Sequence, residues 1–163
     1  MTLTMEQAAE NWATLNVLSE AHCIELLRKN RWGRLAAALE GWPAILPVNY
    51  GFDRDHIVIK TGAGSKLAET PMTPVAFEID AADHDGAWGW SVLVQGPAFD
   101  ITTAADDVSV HLRSIPLKTW APGRKDHWIR IGAMRISGRS FGVVPGWDNG
   151  QWSHASSSEA SKG

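Results

Sequence analysis

The chain has 163 residues and a net charge of −3, which fits one domain with a substantial core and gives no sign of a general nucleic-acid binder. No apolar run approaches the ~20 residues that cross a bilayer, and the N-terminus lacks the basic start and apolar core of a secretory signal. The single cysteine, Cys23, cannot form an internal disulfide, which fits a reducing compartment and a cytoplasmic location.

The tryptophan content is unusual, because nine tryptophans stand against one tyrosine. Tryptophan is large and amphipathic, so such rings suit a dimer interface or a site for a flat aromatic ligand. An aromatic-rich core would give the same composition, and composition does not separate these interpretations.

The first elements predicted are a helix and three strands. Residues 1–17 are expected to form a loose helix or arm. Ser19 is a suitable N-cap for a helix over residues 20–29, which Asn30 can end. Cys23 belongs to the apolar face of this helix, so we interpret it as a core residue and not as a nucleophile. Alternating apolar residues and glycine-containing turns predict strands over residues 31–39, 44–50 and 56–61.

The segment after the third strand is the main functional candidate. Residues 61–66 read Thr-Gly-Ala-Gly-Ser-Lys, and a short helix is predicted over residues 65–70. Glycines allow close approach of the backbone, amides at a helix start favour an anion, and hydroxyls with an ammonium suit a phosphate. The Walker A pattern is absent. A glycine-rich hairpin loop with an exposed lysine has the same local pattern, so both interpretations stay open.

The second half of the chain predicts more strands and one helix. Strands are predicted over residues 75–80, 88–102 and 128–137, the middle one bent near Gly96 and Pro97. Thr103 is the expected N-cap of a helix that reaches Arg113. The loop over residues 115–126 contains Trp120, and loops of that length are often functional. Residues 140–152 form a tail that can still pack, and the Ser-rich residues 153–163 are expected to be disordered.

The predicted elements favour one fold class. About six strands joined mostly by hairpins, without β-helix-β alternation, argue against a parallel Rossmann sheet and for an antiparallel barrel. The six histidines are scattered, and no pair has metal-site spacing, so no metal is expected.

Five segments together resemble the pyridoxamine 5′-phosphate oxidase-like, FMN-binding split-barrel family, particularly the branch that includes nitroimidazole-resistance proteins. They are residues 32–36, 47–50, 61–66, 74–78 and 89–96. The resemblance implies a mainly β fold, a six-stranded antiparallel Greek-key split barrel with short flanking helices. It implies one FMN-binding domain over residues 1–152, with 1–17 as an arm or helix and 153–163 as a tail. It also implies a homodimer with two FMN sites at the interface.

The same resemblance assigns a phosphate end and a ring end to the cofactor site. Thr61, Ser65 and Lys66 match the phosphate-binding positions of the family. Val48 and Asn49 match the strand that passes along the flavin ring. This match favours the phosphate-binding interpretation of the glycine-rich segment.

Three further positions are implied to contact the cofactor or the substrate. Tyr50 matches a position that faces the substrate in the oxidases, where a lysine is usual. Trp90 and Ser91 match an Arg-Gln pair on the long strand, whose Gln touches the flavin. Because serine is shorter than glutamine, Ser91 would contact the flavin directly only if the strand lay close to it. At a greater distance the contact would pass through a water molecule.

Flavin enzymes need no protein nucleophile, because the isoalloxazine ring itself accepts and donates hydride. The resemblance therefore implies a flavoprotein, an oxidoreductase that passes hydride or electrons from reduced nicotinamide to a small acceptor. Residues 144–150 lack the basic cluster that recognises substrate phosphate in true pyridoxamine phosphate oxidases, so that activity is not expected. A deazaflavin-dependent reductase of the same fold and a non-enzymatic flavin- or haem-binding carrier or sensor are the alternatives.

Overall fold

A computed structural model of the chain describes residues 15–62, 72–148 and 151–152. Within them it has the strands β1 Asn16–Leu18, β2 Trp32–Leu39, β3 Trp42–Asp53, β4 His56–Thr61, β5 Thr73–Ala82, β6 Trp88–Asp100, β7 His127–Gly132, β8 Arg135–Gly142, β9 Trp147–Asp148 and β10 Gln151–Trp152. Its helices are α1 Glu20–Lys29 and α2 Asp107–Arg113. Neither helix is long and apolar enough to cross a bilayer, and no other helix occurs in the described part of the chain.

Six strands close into the predicted antiparallel barrel. Their order is β2-β3-β4-β7-β6-β5, and β5 pairs again with β2 to complete the circle. β8 pairs with the first half of β6 outside this circle, and β1 pairs with β8. The mainly β, six-stranded barrel predicted from the sequence is therefore confirmed.

The long strand β6 changes its partner at Gly96. Gln95 still pairs with Arg135 of β8, whereas Ala98 already pairs with Ile131 of β7. A Cβ atom on Gly96 would lie only 1.7 Å from the carbonyl oxygen of Gly132, so a side chain does not fit there. The position predicted to bend this strand is thus the point at which the barrel separates from β8.

The core lies mainly inside the barrel, and a smaller apolar cluster covers its outer wall. Ile57 and Ile59 of β4 face the interior with the large side chains of the other barrel strands. Val58 faces the other way and packs with Ile101 and with Leu112 of α2. Successive residues of a strand point to opposite faces, and both faces of β4 are buried here. Residues 57–59 are therefore all apolar, without the alternation of a strand that has one face in water.

Helix α1 has the predicted ends and the predicted buried face. The Ser19 side chain accepts a hydrogen bond from the backbone N–H of His22 at 3.2 Å, and Asn30 is the C-cap. Cys23 is fully buried, and its Sγ lies where a side chain at Gly138 of β8 would have to go. The interpretation of Cys23 as a core residue is confirmed.

In the second half, one predicted strand and the predicted start of one helix are wrong, while the end of that helix at Arg113 is confirmed. Residues 128–137 form the end of β7 and the start of β8, and not one strand, because the backbone N–H groups of Ala133 and Met134 bond to the carbonyls of Asp55, in the turn before β4, and Gln95 of β6. The helix starts after Asp106, and not at Thr103, because the Asp106 carboxylate accepts from the N–H of Ser109 at 3.0 Å.

The N-terminal arm is corrected in part, since residues 16–18 form β1 on β8. Residues 1–14, the helix predicted over residues 65–70 and the tail over residues 153–163 lie outside the described residues.

Candidate functional site

A cavity of about 470 Å³ opens beside β3 and β4. It is lined by Trp32, Leu46, Pro47, Val48, Asn49, Lys60, Thr61, Thr119, Trp120, Ala121 and Lys125. Three residues predicted to bind the cofactor, Val48, Asn49 and Thr61, therefore lie on one cavity. The loop between α2 and β7, singled out for its length, supplies another wall.

Two tryptophans form a flat aromatic surface on this cavity. The rings of Trp32 and Trp120 stack with centroids 5.1 Å apart and planes 19° apart. Both side chains are large and exposed, Trp32 by 41% and Trp120 by 63%. Such a surface suits a planar aromatic ligand, because stacking on it removes apolar area from water.

Asn49 holds the loop that carries Trp120. Its side-chain oxygen accepts a hydrogen bond from the backbone N–H of Trp120 at 2.8 Å, and its side-chain nitrogen donates to the carbonyl of Arg31 at 3.3 Å. Only 8% of Asn49 is exposed. The amide therefore connects the start of β2, the middle of β3 and the loop, and it positions the cavity wall.

The charged side chains that the structure describes on the cavity are positive. Among the described residues, its lining contains the two lysines Lys60 and Lys125 and no acidic residue. The Lys60 ammonium lies 4.5 Å from the centre of the Trp128 ring, a distance typical of a cation–π contact. Lysines beside a threonine hydroxyl favour an anionic ligand.

Ser65 and Lys66, the other predicted phosphate contacts, lie outside the described residues. The described chain reaches Gly62, directly after Thr61 on the cavity wall. A Cβ on Gly62 would lie 3.2 Å from the carbonyl oxygen of Arg124, so the segment starts against the Trp120 loop.

Tyr50 lies in the core and not on the cavity, which corrects the expectation that it faces a ligand. It is 1% exposed, and its hydroxyl donates to the carbonyl of Leu27 at 2.8 Å. Its ring meets Phe77 edge to face at 4.8 Å. Burial raises the pKa of the Tyr50 phenol, so the hydroxyl remains a donor at working pH. The physical reason is that successive side chains of β3 point to opposite faces, so Tyr50 points into the core whereas its neighbour Asn49 does not.

Tyr50→Phe is accordingly expected to lower the free energy of unfolding by about 1–2 kcal/mol, because the carbonyl of Leu27 loses a buried partner. Urea denaturation followed by circular dichroism measures this change. Ligand affinity should stay at the wild-type value, and a variant of unchanged stability but weakened affinity would contradict the core assignment.

Trp90 and Ser91 lie elsewhere. They line a second cavity of about 330 Å³ with Glu78, Asp80 and Arg139, among others. The Trp90 ring stacks on Trp147 with centroids 6.3 Å apart. Within one chain the structure therefore places Val48, Asn49 and Thr61 on one cavity and Trp90 and Ser91 on another.

The sequence did not single out Trp32, Lys60 and Lys125 as lining residues. Trp32 belongs to a segment of the family resemblance, and Lys60 directly precedes Thr61. Their positions in the chain could therefore have identified both as candidate lining residues. Lys125 had no such signal beyond its position in a long loop. Among the described residues, no group of three or more His, Cys, Asp or Glu side chains could hold a metal ion.

The described residues thus form a closed six-stranded antiparallel barrel with a basic, tryptophan-walled cavity on its side. Residues 19–140 match the sequence profile of the pyridoxamine 5′-phosphate oxidase family, and the chain belongs to this family. The family predicted from the sequence is thus confirmed.

The chain is also similar to individual proteins. An uncharacterized protein of Mycobacterium tuberculosis is 35% identical over 97 residues, which cover 58% of this chain and 84% of the relative. The structure of the FAD binding protein from Mycobacterium smegmatis is similar over 80% of this chain and 100% of its own, at 28% identity and a TM-score of 0.64. A FAD-binding protein from Mesorhizobium loti is similar over 77% and 97%, at 26% identity and a TM-score of 0.56.

Proposed function

We propose that the protein is a flavoprotein whose cavity beside β3 and β4 binds the FMN moiety, either as FMN or as part of FAD. The observation that carries the proposal is the combination of a flat tryptophan surface with lysines and the Thr61 hydroxyl on one cavity. The similarity to two FAD-binding proteins supports the same ligand class.

The cavity fits the two ends of such a ligand. Small-molecule sites usually measure about 300–1,000 Å³, and this cavity of about 470 Å³ falls in that range. Trp32, Trp120 and Val48 offer apolar area for the ring, and Thr61 with Lys125 offers donors for the phosphate. Ser65 and Lys66 are proposed to add phosphate contacts on the segment that continues from Thr61.

A homodimer would complete the site. Trp90 and Ser91 match cofactor-contacting positions of the family but lie on a separate cavity of their own chain. We place them against the cofactor of the other subunit, so that each site takes β3 and β4 from one chain and β6 from its partner. Exposed apolar side chains on β3, Trp42 and Ile45, supply surface for such an interface.

The proposed activity is that of an oxidoreductase that moves hydride or electrons from reduced nicotinamide to a small acceptor. When bound, the flavin supplies the hydride chemistry. The protein binds and orients it, and the tryptophans exclude water from one side. The deazaflavin cofactor also combines a planar ring with a phosphate, so the binding test below includes it as an alternative ligand. The described lining includes no His, Met, Cys or Tyr that could ligate haem iron, which favours flavin over haem.

The test is a titration of the purified protein with FMN, FAD, deazaflavin and haem, followed by the visible spectrum and by tryptophan fluorescence. Saturable binding of FMN or FAD, with fluorescence quenching by the stacked ring, is expected. Anaerobic mixing of the flavin complex with reduced nicotinamide then separates an oxidoreductase, which bleaches the flavin band, from a carrier. Failure of both flavins to bind would overturn the proposal.

Trp120→Leu is expected to weaken FMN binding by about tenfold, because it removes one stacked ring from the cavity. Met134→Ala is the control, since Met134 is also a large exposed apolar residue, does not line the cavity and is not placed in the proposed interface. Equal FMN affinities of the two variants would show that the flavin ring does not stack on Trp120.

A further inference from the structure

The second cavity, beside β5, β6 and β8, has a charged lining that the proposed flavin site does not use. Its volume of about 330 Å³ falls in the usual range of small-molecule sites. The charged residues that line it are Glu78, Asp80 and Arg139. Trp90 and Ser91, proposed above to contact the flavin of the other subunit, line the same cavity. A small molecule that fills this cavity would therefore lie beside that flavin.

The two acidic residues of this cavity already have a cationic partner. Arg34 of β2 forms an ion pair with Asp80, and its Nη1 lies 3.7 Å from Oε2 of Glu78. Arg34 is also directly opposite Glu78 in the β2–β5 ladder. Because one guanidinium contacts both carboxylates, the cavity offers little to a cationic ligand.

Arg139 is the charged residue of the cavity that remains available. It is exposed on β8, directly opposite Ser91 of β6. Within the described part of the chain, no side-chain hydrogen bond or ion pair involves Arg139 or the Ser91 hydroxyl. Directly paired residues of antiparallel strands have Cβ atoms about 5 Å apart and share a face. A guanidinium and a hydroxyl, both donors, therefore lie side by side on this cavity.

The nearest strand neighbour with a negative charge does not prevent an anion from binding here. Asp80 is opposite Ser91 on the other side of β6, so the backbones of Asp80 and Arg139 are two strand spacings, about 10 Å, apart. Physiological salt screens charges beyond about 8 Å, and Arg34 neutralises Asp80. An anion at Arg139 therefore meets little repulsion from this carboxylate.

Apolar side chains form the rest of the cavity wall. The Phe141 ring lies against the backbone of Gly89, where a Cβ would come within 2.5 Å of it. The Trp90 ring is supported from behind by Trp147. Leu15 is 56% exposed on the same cavity. A ligand with a planar apolar body and one anionic group matches both this wall and the two donors.

We infer that this cavity binds the acceptor of the proposed oxidoreductase, and that the acceptor is a small planar molecule with a carboxylate held by Arg139 and Ser91. The inference rests on the proposed function, because the flavin of the other subunit is what makes a ligand here an acceptor. The planar fork of the guanidinium matches the two oxygens of a carboxylate, and the Ser91 hydroxyl donates one more hydrogen bond. A dianionic phosphate would have one charge without a partner.

The experiment titrates the FMN complex with benzoate and with benzamide, which has nearly the same shape and no charge. Calorimetry measures the dissociation constants, and the visible flavin spectrum reports whether the ligand lies beside the ring. The wild type should bind benzoate at least about tenfold more tightly than benzamide, because only the carboxylate forms a charge-assisted pair. Benzoate should also shift the flavin band.

Three variants test the role of Arg139. Arg139→Gln should weaken benzoate binding about tenfold and leave benzamide binding within about twofold of the wild type. Arg139→Lys should recover part of the benzoate affinity, because it keeps the charge and loses the fork. Arg135→Gln is the matched control, since Arg135 is also exposed on β8, opposite Gln95, but does not line the cavity. Its benzoate affinity should equal that of the wild type.

The outcomes separate this inference from the proposed function. A wild type that does not bind benzoate, or an Arg139→Gln protein that binds it equally well, would overturn the inference. Tighter binding of phenyl phosphate than of benzoate would refute the carboxylate. Benzoate binding that requires Arg139 but leaves the flavin band unchanged would refute the acceptor site. A protein that binds neither FMN nor FAD would instead overturn the proposed function, and calorimetry with benzoate would still test the Arg139 contact.

Discussion

Gly96→Ala is expected to lower the free energy of unfolding by about 3 kcal/mol or more, the largest stability effect among the substitutions considered. The added Cβ would lie 1.7 Å from the carbonyl oxygen of Gly132 and 3.0 Å from its carbonyl carbon. Both are backbone atoms of β7, which is held in register by β4 and β6, so neither strand can move without breaking ladder hydrogen bonds. Urea denaturation followed by far-UV circular dichroism measures the change.

The chain offers a close control for this prediction. A Cβ on Gly132 would meet no heavy atom within 4 Å, although Gly132 lies on the other side of the same contact. Gly132→Ala should therefore change stability by no more than about 1 kcal/mol. Similar losses for both variants would show that β6 and β7 are not as close at this crossing as the structure has them.

The sequence predicts the strands of this barrel well because their signal is local. The alternation in residues 75–80 and the apolar run at 57–59 identify β5 and β4 without knowledge of their partners. The division of β6 between β7 and β8 is a matter of pairing between residues far apart in the chain, and no local pattern encodes it. The prediction of one strand over residues 128–137 failed for this reason, since Ala133 and Met134 bond to Asp55 and Gln95, which are distant in the sequence.

The candidate site shows the same division between local and distant information. Thr61 was found because the glycine-rich segment is contiguous, and the structure places it on the cavity. Tyr50 was assigned to the ligand by position in a motif, but a single step along β3 separates the residue facing the loop from the residue facing the core. The contact of Asn49 with Trp120 joins residues 71 positions apart, so only the folded chain reveals it.

That contact gives the second large prediction. Asn49→Leu is expected to lower the free energy of unfolding by about 1–3 kcal/mol, because the N–H of Trp120 and the carbonyl of Arg31 lose their partner in a nearly buried place. It should also weaken FMN binding by more than tenfold, because the loop that carries Trp120 is no longer held against β3. Hydrogen exchange read by mass spectrometry should show faster exchange at the Trp120 amide.

Two variants make the Asn49 result specific. Asn49→Asp keeps the acceptor for the Trp120 N–H but removes the donor to Arg31 and adds a negative charge beside a basic cavity. It should therefore retain slow exchange at Trp120 while it still weakens FMN, because the added charge repels the phosphate. Asn30→Ala loses a side-chain hydrogen bond to the Leu26 carbonyl at the end of α1, and because Asn30 does not line the cavity, it should lower stability without a change in FMN affinity. An Asn49→Leu protein with wild-type affinity and exchange would show that the loop holds its place without this amide, and the cavity wall would then depend on the stacking of Trp120 on Trp32.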